Sequence, residues 1–439
     1  MNNRKGLFLG ETKILSELCD SITDCHHSTP KWTDNGRLVI RNFNIKKGRL
    51  SLSDPSFTND ETFNERIKRK KPESGDLIIT REAPMGEVCI IPEGLECCLG
   101  QRMVLLKPNK KKVLGSYLLY ALQSEFVQTQ IQKSDKTGSI VSNLRIPDLE
   151  QLNIPVFDTI TQEKIGSILK NIDSKIEINN SINAVLEEMA KTIYNFWFVQ
   201  FDFPISAEQA ASMGKPQLNG KPYKTNGGKM VWNEELKREI PEGWKNGYLN
   251  SIGDIIGGST PSKAIDENFC QGTGMPWITP KDLSMNKGKK YITRGEWDVT
   301  EQGLKEASLK IMPAGTVLLS SRAPIGYLAI SRSKVTTNQG FKSFVPNSIF
   351  STEFIFYTIK NLIPEIEANS SGSTFQEVST STLRTMKTLL PTTDILMDFD
   401  KKIKPIFKKQ DVLEEQNQKL AELRDWLLPM LMNGQVKVG

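Results

Sequence analysis

The chain carries GDLIITREAPMG at residues 75–86 and a near copy, GTVLLSSRAPIG, at residues 315–326. Other residues recur in the same order after each copy, because Gln101 follows the first copy and Gln339 follows the second. Self-similarity of this kind indicates an internal duplication. The sequence therefore predicts one module built twice, a plan that suits the presentation of two surfaces better than the enclosure of one catalytic cleft.

Length and composition agree with two domains. The 439 residues exceed a single core of ordinary size. The balance of 57 Lys and Arg against 51 Asp and Glu gives a net charge of +6, which permits nucleic-acid binding by local basic patches without requiring it. No apolar run approaches the roughly 20 residues that cross a bilayer, and the first residues lack a signal-peptide core, so we expect a soluble, cytoplasmic protein. The six Cys do not form a duplicated disulfide framework, so we expect reduced thiols.

Each copy of the repeat lies in a stretch that mixes short β-prone runs with one helical pattern. The predicted strands of the first stretch are 38–40, 77–80 and 103–106, and its predicted helix is 117–132. The predicted strands of the second are 277–279 and 316–320, and its predicted helix is 353–363. The predicted fold class is therefore α+β, with two mixed α/β domains.

A heptad-spaced apolar pattern follows each module. The first covers about 40 residues without proline, which would extend about 60 Å as a helix. The second contains Pro405 and Pro429, each expected to kink or end the helix. The predicted seam residues are Ile165, Leu169, Ile172, Ile176, Leu186, Ile193 and Trp197 in the first helix, and Ile403, Ile406, Leu413, Leu420 and Leu427 in the second.

The two seams can cover each other if the helices form an antiparallel coiled coil, which predicts a pseudo-twofold arrangement of the modules. The alternative is that each helix packs on its own module. Asn179 and Asn183 in the first seam, with Asn417 in the second, resemble buried polar positions that fix register. The predicted boundaries are a first module at 1–157, a helix at 158–203, an exposed linker at 204–243, a second module at 244–391 and a helix at 392–439.

Several strings resemble the specificity subunit of type I restriction-modification systems. LEEMAKTIYNFWFVQFDFP at 186–204 is similar to the end of that family's central region, and GKPYKTNGGKMVWNEELKREIPEGW at 220–244 to the segment before its second recognition domain. GGSTPSK at 257–263 resembles a loop near the start of that domain, and LRDWLLPMLMNGQV at 423–436 resembles the distal helix. The first module departs from the pattern with CHHSTPK at 25–31, but the likeness covers essentially the whole chain.

The resemblance implies a non-catalytic DNA-recognition subunit of a bacterial or archaeal cell. Each module would recognise one half of a bipartite target, and the helices would set the gap between the half-sites. Half-sites about 34 Å, or one DNA turn, apart present the same face of the duplex, and a change in helix length would change the spacing. The implied partners are double-stranded DNA, two methylation subunits and, through the complex, restriction subunits. S-adenosylmethionine, ATP and Mg would be bound by those partner subunits, and the target base would be flipped into a partner's pocket.

Basic, hydroxyl and amide side chains recur in both modules, as contacts to phosphates and base edges require. The candidate DNA contacts of the first module are Arg37, Arg41, Asn42, Lys46, Lys47, Arg66, Lys68, Arg69, Arg81 and Arg102. Those of the second are Thr260, Lys263, Thr279, Lys281, Lys289, Arg322 and Lys342. Arg49 and Lys290 belong to the same basic runs, and polar loops at 137–139 and 371–374 are further candidates.

These candidates have a structural alternative. A basic run such as RIKRKK at 66–71 can equally be a solvated face. Gln101 and Gln339 occur in both modules although their targets should differ, which favours a structural role for them. Positions that differ between the modules, such as Arg81 opposite Ser321, are better candidates for base recognition.

The sequence supplies little catalytic or metal-binding chemistry. The two His residues are adjacent, which does not suit a catalytic triad or a multi-His metal site, and although Cys19, Cys25 and these His could ligate zinc, no CxxC pair occurs. No Walker motif, GxGxxG or Asn-Pro-Pro-Tyr-like methyltransferase string is found. We therefore expect no catalytic residue, metal or cofactor in this chain. The competing hypothesis is a coiled-coil adaptor with two protein-binding modules, which would lack salt-sensitive affinity for duplex DNA.

Overall fold

The computed structural model describes residues 11–134, 143–322, 324–370, 376–436 and 438. They form two compact units, one from the residues up to Glu177 together with those from Asn417 onward, and the other from Ile178–Gln416. The polar loops at 137–139 and 371–374 lie outside the described residues. In the described ranges, no helix combines the length and hydropathy that a membrane span needs.

The first unit contains two four-stranded sheets and two two-stranded sheets beside a group of helices. Its strands are β1 Thr12–Ile14, β2 Cys19–Asp24, β3 Trp32–Thr33, β4 Arg37–Ile40, β5 Ile45–Lys46, β6 Arg49–Leu50, β7 Ser56–Thr58, β8 Leu77–Thr80, β9 Val88–Ile90, β10 Cys98–Leu99, β11 Met103–Pro108 and β12 Asn153–Pro155. Its helices are α1 Leu15–Leu18, α2 Asp60–Ile67, α3 Gly115–Gln123, α4 Glu125–Ser134, α5 Ile146–Glu150 and the start of the long α6 Thr159–Tyr194, with a 3-10 turn at Asn42–Asn44. The sheet orders are β2-β11-β8-β9 and β10-β4-β7-β3.

The second unit repeats this plan. Its strands are β13 Met230–Asn233, β14 Arg238–Pro241, β15 Lys245–Tyr248, β16 Gly253–Gly257, β17 Phe269–Cys270, β18 Met275–Ile278, β19 Tyr291–Ile292, β20 Trp297–Val299, β21 Val317–Ser321, β22 Ile325–Ser331, β23 Thr336–Thr337, β24 Lys342–Pro346 and β25 Lys387–Leu390. Its helices are α7 Ala207–Ser212, α8 Leu249–Ile252, α9 Pro280–Met285, α10 Glu301–Glu306, α11 Thr352–Ala368, α12 Thr380–Thr385 and most of the long α13 Thr393–Met432, with a π turn at Asn195–Val199 and 3-10 turns at Pro216–Leu218 and Asp266–Asn268. The sheet orders are β16-β24-β21-β22-β19 and β17-β20-β18-β23.

The sheets of the two units correspond strand by strand. The order β2-β11-β8-β9 matches β16-β24-β21-β22, and β10-β4-β7-β3 matches β23-β18-β20-β17, including the equivalent parallel pairs β10 with β4 and β23 with β18. The second unit adds β19, which pairs parallel with β22. The two repeated strings contain β8 and β21, whose residues are all buried. In both units an early strand pairs antiparallel with the strand just before a long helix, β1 with β12 and β15 with β25. The duplication and the two mixed α/β domains are confirmed.

The long helices pair antiparallel within each unit. In the first, Asp173 of α6 contacts Arg424 of α13, and in the second, Glu187 of α6 contacts Gln410 of α13. Of the predicted seam, the buried members are Ile165, Leu169, Ile172, Ile176, Trp197, Ile403 and Leu413, and the half-buried ones are Leu186, Ile193, Ile406, Leu420 and Leu427. The helices also pack on the domains of their own units, since residues of α6 and α13 belong to the domain cores. The two alternatives drawn from the sequence are therefore combined in the structure.

Three local expectations are corrected. The prolines at 405 and 429 do not end α13, because burial of Ile403 and Phe407 beside the first offsets the lost N–H donor. The predicted helix at 117–132 is two helices that break at Ser124, whose hydroxyl bonds the carbonyl of Ala121 at 2.6 Å.

The segment predicted as an exposed linker, 204–243, is partly folded. It contains α7 and the hairpin of β13 and β14. Tyr223 stacks on Phe203 with ring centroids 4.6 Å apart, and Phe203 stacks on Trp244 at 5.2 Å. The Gly and Pro content correctly indicates turns, but the three buried rings hold those turns against the core of the second unit.

Candidate nucleic-acid interface

In each domain a glutamine ties a loop to the same position on the sheet. Gln101 follows β10, and its side-chain amide donates to the carbonyl of His27. Gln339 follows the equivalent β23, and its side-chain oxygen accepts from the hydroxyl of Thr260. These contacts support a structural role for the matched glutamines.

The segments around each glutamine form what we name the loop edge of the domain. In the first domain the loop edge comprises residues 25–31, 41–44, 81–83 and 100–102, and in the second it comprises 257–263, 279–282, 321–322 and 338–340. The amide of Arg81 donates to the carbonyl of Arg102 at 2.8 Å, and that of Ser321 to Gly340 at 2.8 Å. The two loop edges therefore share a backbone scaffold, although their side chains differ.

Some candidate contacts are paired with carboxylates. Arg37 donates to Asp60 and Glu96, both at 2.7 Å, and hydrogen bonding to Asp60 is the main reason that its pKa is raised. The other paired candidates are Arg102 with Glu82 at 3.2 Å, Lys281 with Glu296 at 2.6 Å, and Arg322 and Lys342 with Glu377 at 3.5 and 3.3 Å. An exposed pair of this kind is worth little to stability and can open, but it reduces the positive potential offered to a phosphate.

Other candidates are committed to the fold. Arg66 is buried, which lowers its pKa, and its guanidinium donates to the carbonyls of Ser28 and Leu99. Arg81 binds both carboxylate oxygens of Asp24 at 3.0 Å. The remaining members are Asn42, which donates to the carbonyl of Ala83 at 2.7 Å, Thr260, which bonds Gln339, and Thr279, which caps α9. For Arg66 this geometry argues against direct DNA contact.

The remaining candidates offer unpaired charge. Within the described residues, no carboxylate lies at ion-pair distance from any of these candidates. They are Arg41, Lys46, Lys47, Lys68, Arg69, Lys263 and Lys289. All but Arg41 are exposed. Such side chains fit phosphate contacts, which need charge more than fixed geometry.

Arg49 and Lys290 are turned away from the loop edges. Arg49 donates to Asp173 of α6 at 2.9 Å, and Lys290 contacts Glu187 of α6 at 2.6 Å. Both cations hold a domain to the helices, which argues against a direct DNA contact by either residue. Nothing in the local sequence separates Lys290 from its exposed neighbour Lys289.

Sequence reasoning missed two aromatic rings, Phe43 within the first loop edge and Trp32 directly after its segment 25–31. Trp32 and Phe43 are 42% and 44% exposed and contact the guanidinium of Arg41. Neither has a recognisable spacing, because Trp32 lies nine positions before the arginine. An exposed aromatic residue beside a basic one is the signal that could have found them.

The six cysteines are free thiols, and burial raises the pKa of Cys25 and its buried neighbours in the first unit. Cys25 accepts from the amide of Met103, and His27 bonds Asp24 at 3.0 Å. Within the described ranges, no group of three or more His, Cys, Asp or Glu side chains could hold a metal ion.

A duplicated α/β domain with a loop-built edge, carried on paired helices, defines a two-domain recognition protein. The chain belongs to the family described as the type I restriction modification DNA specificity domain, which matches residues 15–188 and 241–424.

Characterised relatives carry the same description. The chain is 40% identical over 200 residues to the type I restriction enzyme MjaIX specificity subunit of Methanocaldococcus jannaschii, a match that covers 43% of this chain and 46% of that protein, so it spans about half of that relative's length. It is 26% identical over 409 residues to the type I restriction enzyme HindI specificity subunit of Haemophilus influenzae, covering 84% of this chain and 88% of that protein. The crystal structure of a type I restriction-modification S subunit from M. genitalium shares the fold, with a TM-score of 0.61, 15% identity, and coverage of 98% of this chain and 97% of that one.

Proposed function

We propose that this chain is the DNA-specificity subunit of a type I restriction-modification complex, and that each domain recognises one half of a bipartite target. One observation carries the proposal: two equivalent scaffolds present different side chains at equivalent positions. Arg41 stands where the second domain has Thr279, and the exposed Arg102 where it has Gly340. Two copies of one scaffold with different decoration suit the recognition of two different half-sites.

In this proposal α6 and α13 act as the spacer between the half-sites and as the docking surface for two methylation subunits, through which restriction subunits join. An exposed apolar stripe on α6 supports docking. Its members, Ile178, Ile182, Val185 and Met189, are spaced by four, three and four residues and lie beside the buried seam. Exposed apolar residues that share one helix face mark interaction surfaces in many proteins.

The chain itself is proposed to be a non-catalytic recognition subunit of a methyltransferase and endonuclease complex. S-adenosylmethionine, ATP and Mg would be bound by the partner subunits. We place the complex in the cytoplasm, where a cell's own DNA and incoming DNA are both accessible. The names of the relatives, type I restriction enzyme specificity subunits, support the role of a specificity subunit.

Domain exchange tests the proposal. Residues 1–157 are replaced by the first recognition domain of another specificity subunit, and the chain is expressed with its methylation subunits. We expect sequencing of the methylated sites to show one half-site changed and the other kept. A change in both half-sites would contradict the assignment of one domain to each half-site. Affinity for duplex DNA that does not fall with salt would favour the adaptor hypothesis.

The docking surface has a separate test. Val185→Asp places a charge in the apolar stripe, whereas Ala184→Asp places the same group at the neighbouring exposed position, about 100° round the helix and outside the stripe. We expect only Val185→Asp to prevent co-elution with the methylation subunits in size-exclusion chromatography, with unchanged thermal unfolding of the isolated chain. Equal binding by both variants would place the docking surface elsewhere.

A further inference from the structure

The segments after the equivalent strands β4 and β18 begin with the same type of hydrogen bond in both domains. The amide of Arg41 donates to the side-chain oxygen of Asn44 at 2.9 Å, and the amide of Thr279 donates to Asp282 at 2.8 Å. The preceding residue in each domain accepts a hydrogen bond from the strand that leads to the matched glutamine. Arg41 and Thr279 therefore occupy equivalent positions.

The two side chains are used differently. The hydroxyl of Thr279 stays within its turn, 2.6 Å from the carboxylate of Asp282. The guanidinium of Arg41 extends to two exposed rings, with its central carbon 4.9 Å from the ring centroid of Trp32 and 4.5 Å from that of Phe43. Its hydrogen bond to Ser56 is long, at 3.5 Å, and in the described part of the chain no carboxylate pairs with it. The first domain thus holds an arginine in place with rings and leaves its charge unneutralised.

The position of this group fits a recognition role. Arg41 lies next to the segment 100–102, because a Cβ added at Gly100 would be 3.6 Å from the Cγ of Arg41. That segment carries Gln101, which binds the loop at 25–31. The stacked arginine is therefore part of the loop edge and not of a remote surface.

We propose that Arg41 recognises a guanine in the half-site of the first domain, with Trp32 and Phe43 holding its guanidinium in position. This inference rests on the proposed function and assigns one residue and one base within it. Arginine donates two parallel hydrogen bonds to O6 and N7 of guanine, an arrangement that depends on orientation. A guanidinium already held by rings loses less conformational freedom on binding.

A phosphate contact explains the same residues less well. Phosphate binding needs positive charge and tolerates mobility, and the exposed Lys46 and Lys47 supply it close by in the sequence. Two exposed aromatic side chains would add nothing to such a contact. A fixed orientation of the guanidinium contributes most to specificity where one base must be distinguished from the other three.

The first test changes the geometry and keeps the charge. In the complex with methylation subunits, Arg41→Lys should lower the preference for guanine at one position of the first half-site by about tenfold or more. The second half-site and the salt dependence of binding should be unchanged. Arg145→Lys is the matched control, because Arg145 is exposed and paired with Asp148 at 2.7 Å, and it should leave the recognised sequence unchanged.

The second test leaves the protein unchanged. 7-Deazaguanine, which lacks the N7 acceptor, is placed at each guanine of the first half-site. At one position it should weaken binding by the wild-type complex and have little effect on the Arg41→Lys complex. If the wild-type complex shows no bipartite preference, the proposed function itself is wrong. If that preference exists but Arg41→Lys keeps the motif, or no deaza substitution weakens wild-type binding, the assignment of Arg41 is wrong and the proposed function stands.

Discussion

The two units attach their domains to the long helices with different charge patterns. In the first, Asp173 of α6 accepts from Arg49 of the domain and Arg424 of α13, both at 2.9 Å, and from the hydroxyl of Tyr120 at 2.8 Å. We name these four residues the first junction. One helix supplies the anion, while the domain and the other helix supply the cations.

In the second unit the domain supplies the cations and both helices supply the acceptors. Lys290 contacts Glu187 at 2.6 Å and donates to Gln410 at 2.7 Å. Arg332 contacts Glu414 at 3.1 Å, and Glu414 also accepts from the amide of Lys290 at 2.7 Å. These five residues form the second junction. Arg49 directly follows a Lys-Gly pair, and Lys290 follows another with only Lys289 between, so the duplicated domain kept a cation after this turn while its partners changed.

The junctions also differ in their access to water. The side chain of Lys290 is 5% exposed and lies 3.7 Å from the ring centroid of Phe407, whereas Asp173 is 17% exposed. A buried charge that loses its counterion is far more costly than an accessible one. We therefore expect that the loss of one charge lowers the free energy of unfolding more at the second junction than at the first.

The largest effect is expected for Glu187→Gln. It leaves Lys290 buried beside aromatic rings without a carboxylate, at a cost of about 3–5 kcal/mol in the free energy of unfolding. Urea unfolding of the full chain, with hydrogen exchange to follow the second unit, measures it. Glu188→Gln, at the exposed neighbouring position, is the control and should cost little.

A second variant separates charge burial from general misfolding. Adding Lys290→Met to Glu187→Gln removes the orphaned cation and places an apolar side chain against Phe356, Tyr357 and Phe407. Most of the lost stability should return, because buried ion pairs are often replaceable by apolar groups. Failure of this rescue would mean that Glu187 acts through something other than Lys290.

Asp173→Asn should have a smaller effect, about 1–3 kcal/mol, because the amide keeps one acceptor and both arginines keep another acid. Arg424 still pairs with Asp425 at 2.8 Å, and Arg49 lies 3.7 Å from Glu177. The same unfolding measurement, followed in the first unit, gives the value, with Glu163→Gln at an exposed position of α6 as control. If Asp173→Asn costs as much as Glu187→Gln, burial does not distinguish the two junctions.

Acid should reduce the effect of Glu187→Gln. Burial alone would raise the pKa of Glu187, but the cations of Lys290 and Lys360 outweigh it and lower the pKa to about 2, from an ordinary value of 4.5. The stabilisation is thus complete above about pH 4.5 and is lost as the pH falls toward 2. The difference in unfolding free energy between wild type and variant should narrow below about pH 4.5. If the difference in unfolding free energy stays constant below about pH 4.5, the charge of Glu187 does not stabilise the folded protein.

The positions of the basic residues in the structure show what the sequence could not predict. The seam follows from local periodicity and the duplication from the repeated string, and β8 is found at the predicted residues 77–80. Lys289 and Lys290 are neighbours of equal charge, yet one is exposed and the other buried. The difference is set by partners far away in sequence, since Gln410 is 120 positions from Lys290. Gln410 is a polar residue within an apolar seam, and this was the one local feature that could have indicated a buried polar partner for Lys290.

The same reasoning applies to the loop edges. The sequence predicts that basic side chains gather in each domain, but it cannot separate Arg81, held by Asp24 57 positions away, from Arg41, held by rings. Acidic partners and aromatic neighbours are brought together only by the pairing of strands. The duplication narrowed the choice, because equivalent positions with unlike residues could be named from the alignment of the two halves.

The smallest effect is expected for Lys360→Met, although Lys360 lies as close to Glu187 as Lys290 does, at 2.6 Å. Lys360 is 40% exposed, so its ammonium regains water when the pair opens, and the loss should stay below about 1 kcal/mol. Glu187 would keep Lys290 and Gln410 as partners. Lys290 and Lys360 lie at the same distance from Glu187. If their removal lowers the free energy of unfolding by different amounts, access to water, and not the number of ion pairs, sets the strength of the second junction. A loss as large as that of Glu187→Gln, in the same urea measurement, would instead make Glu187 and its two lysines one inseparable unit.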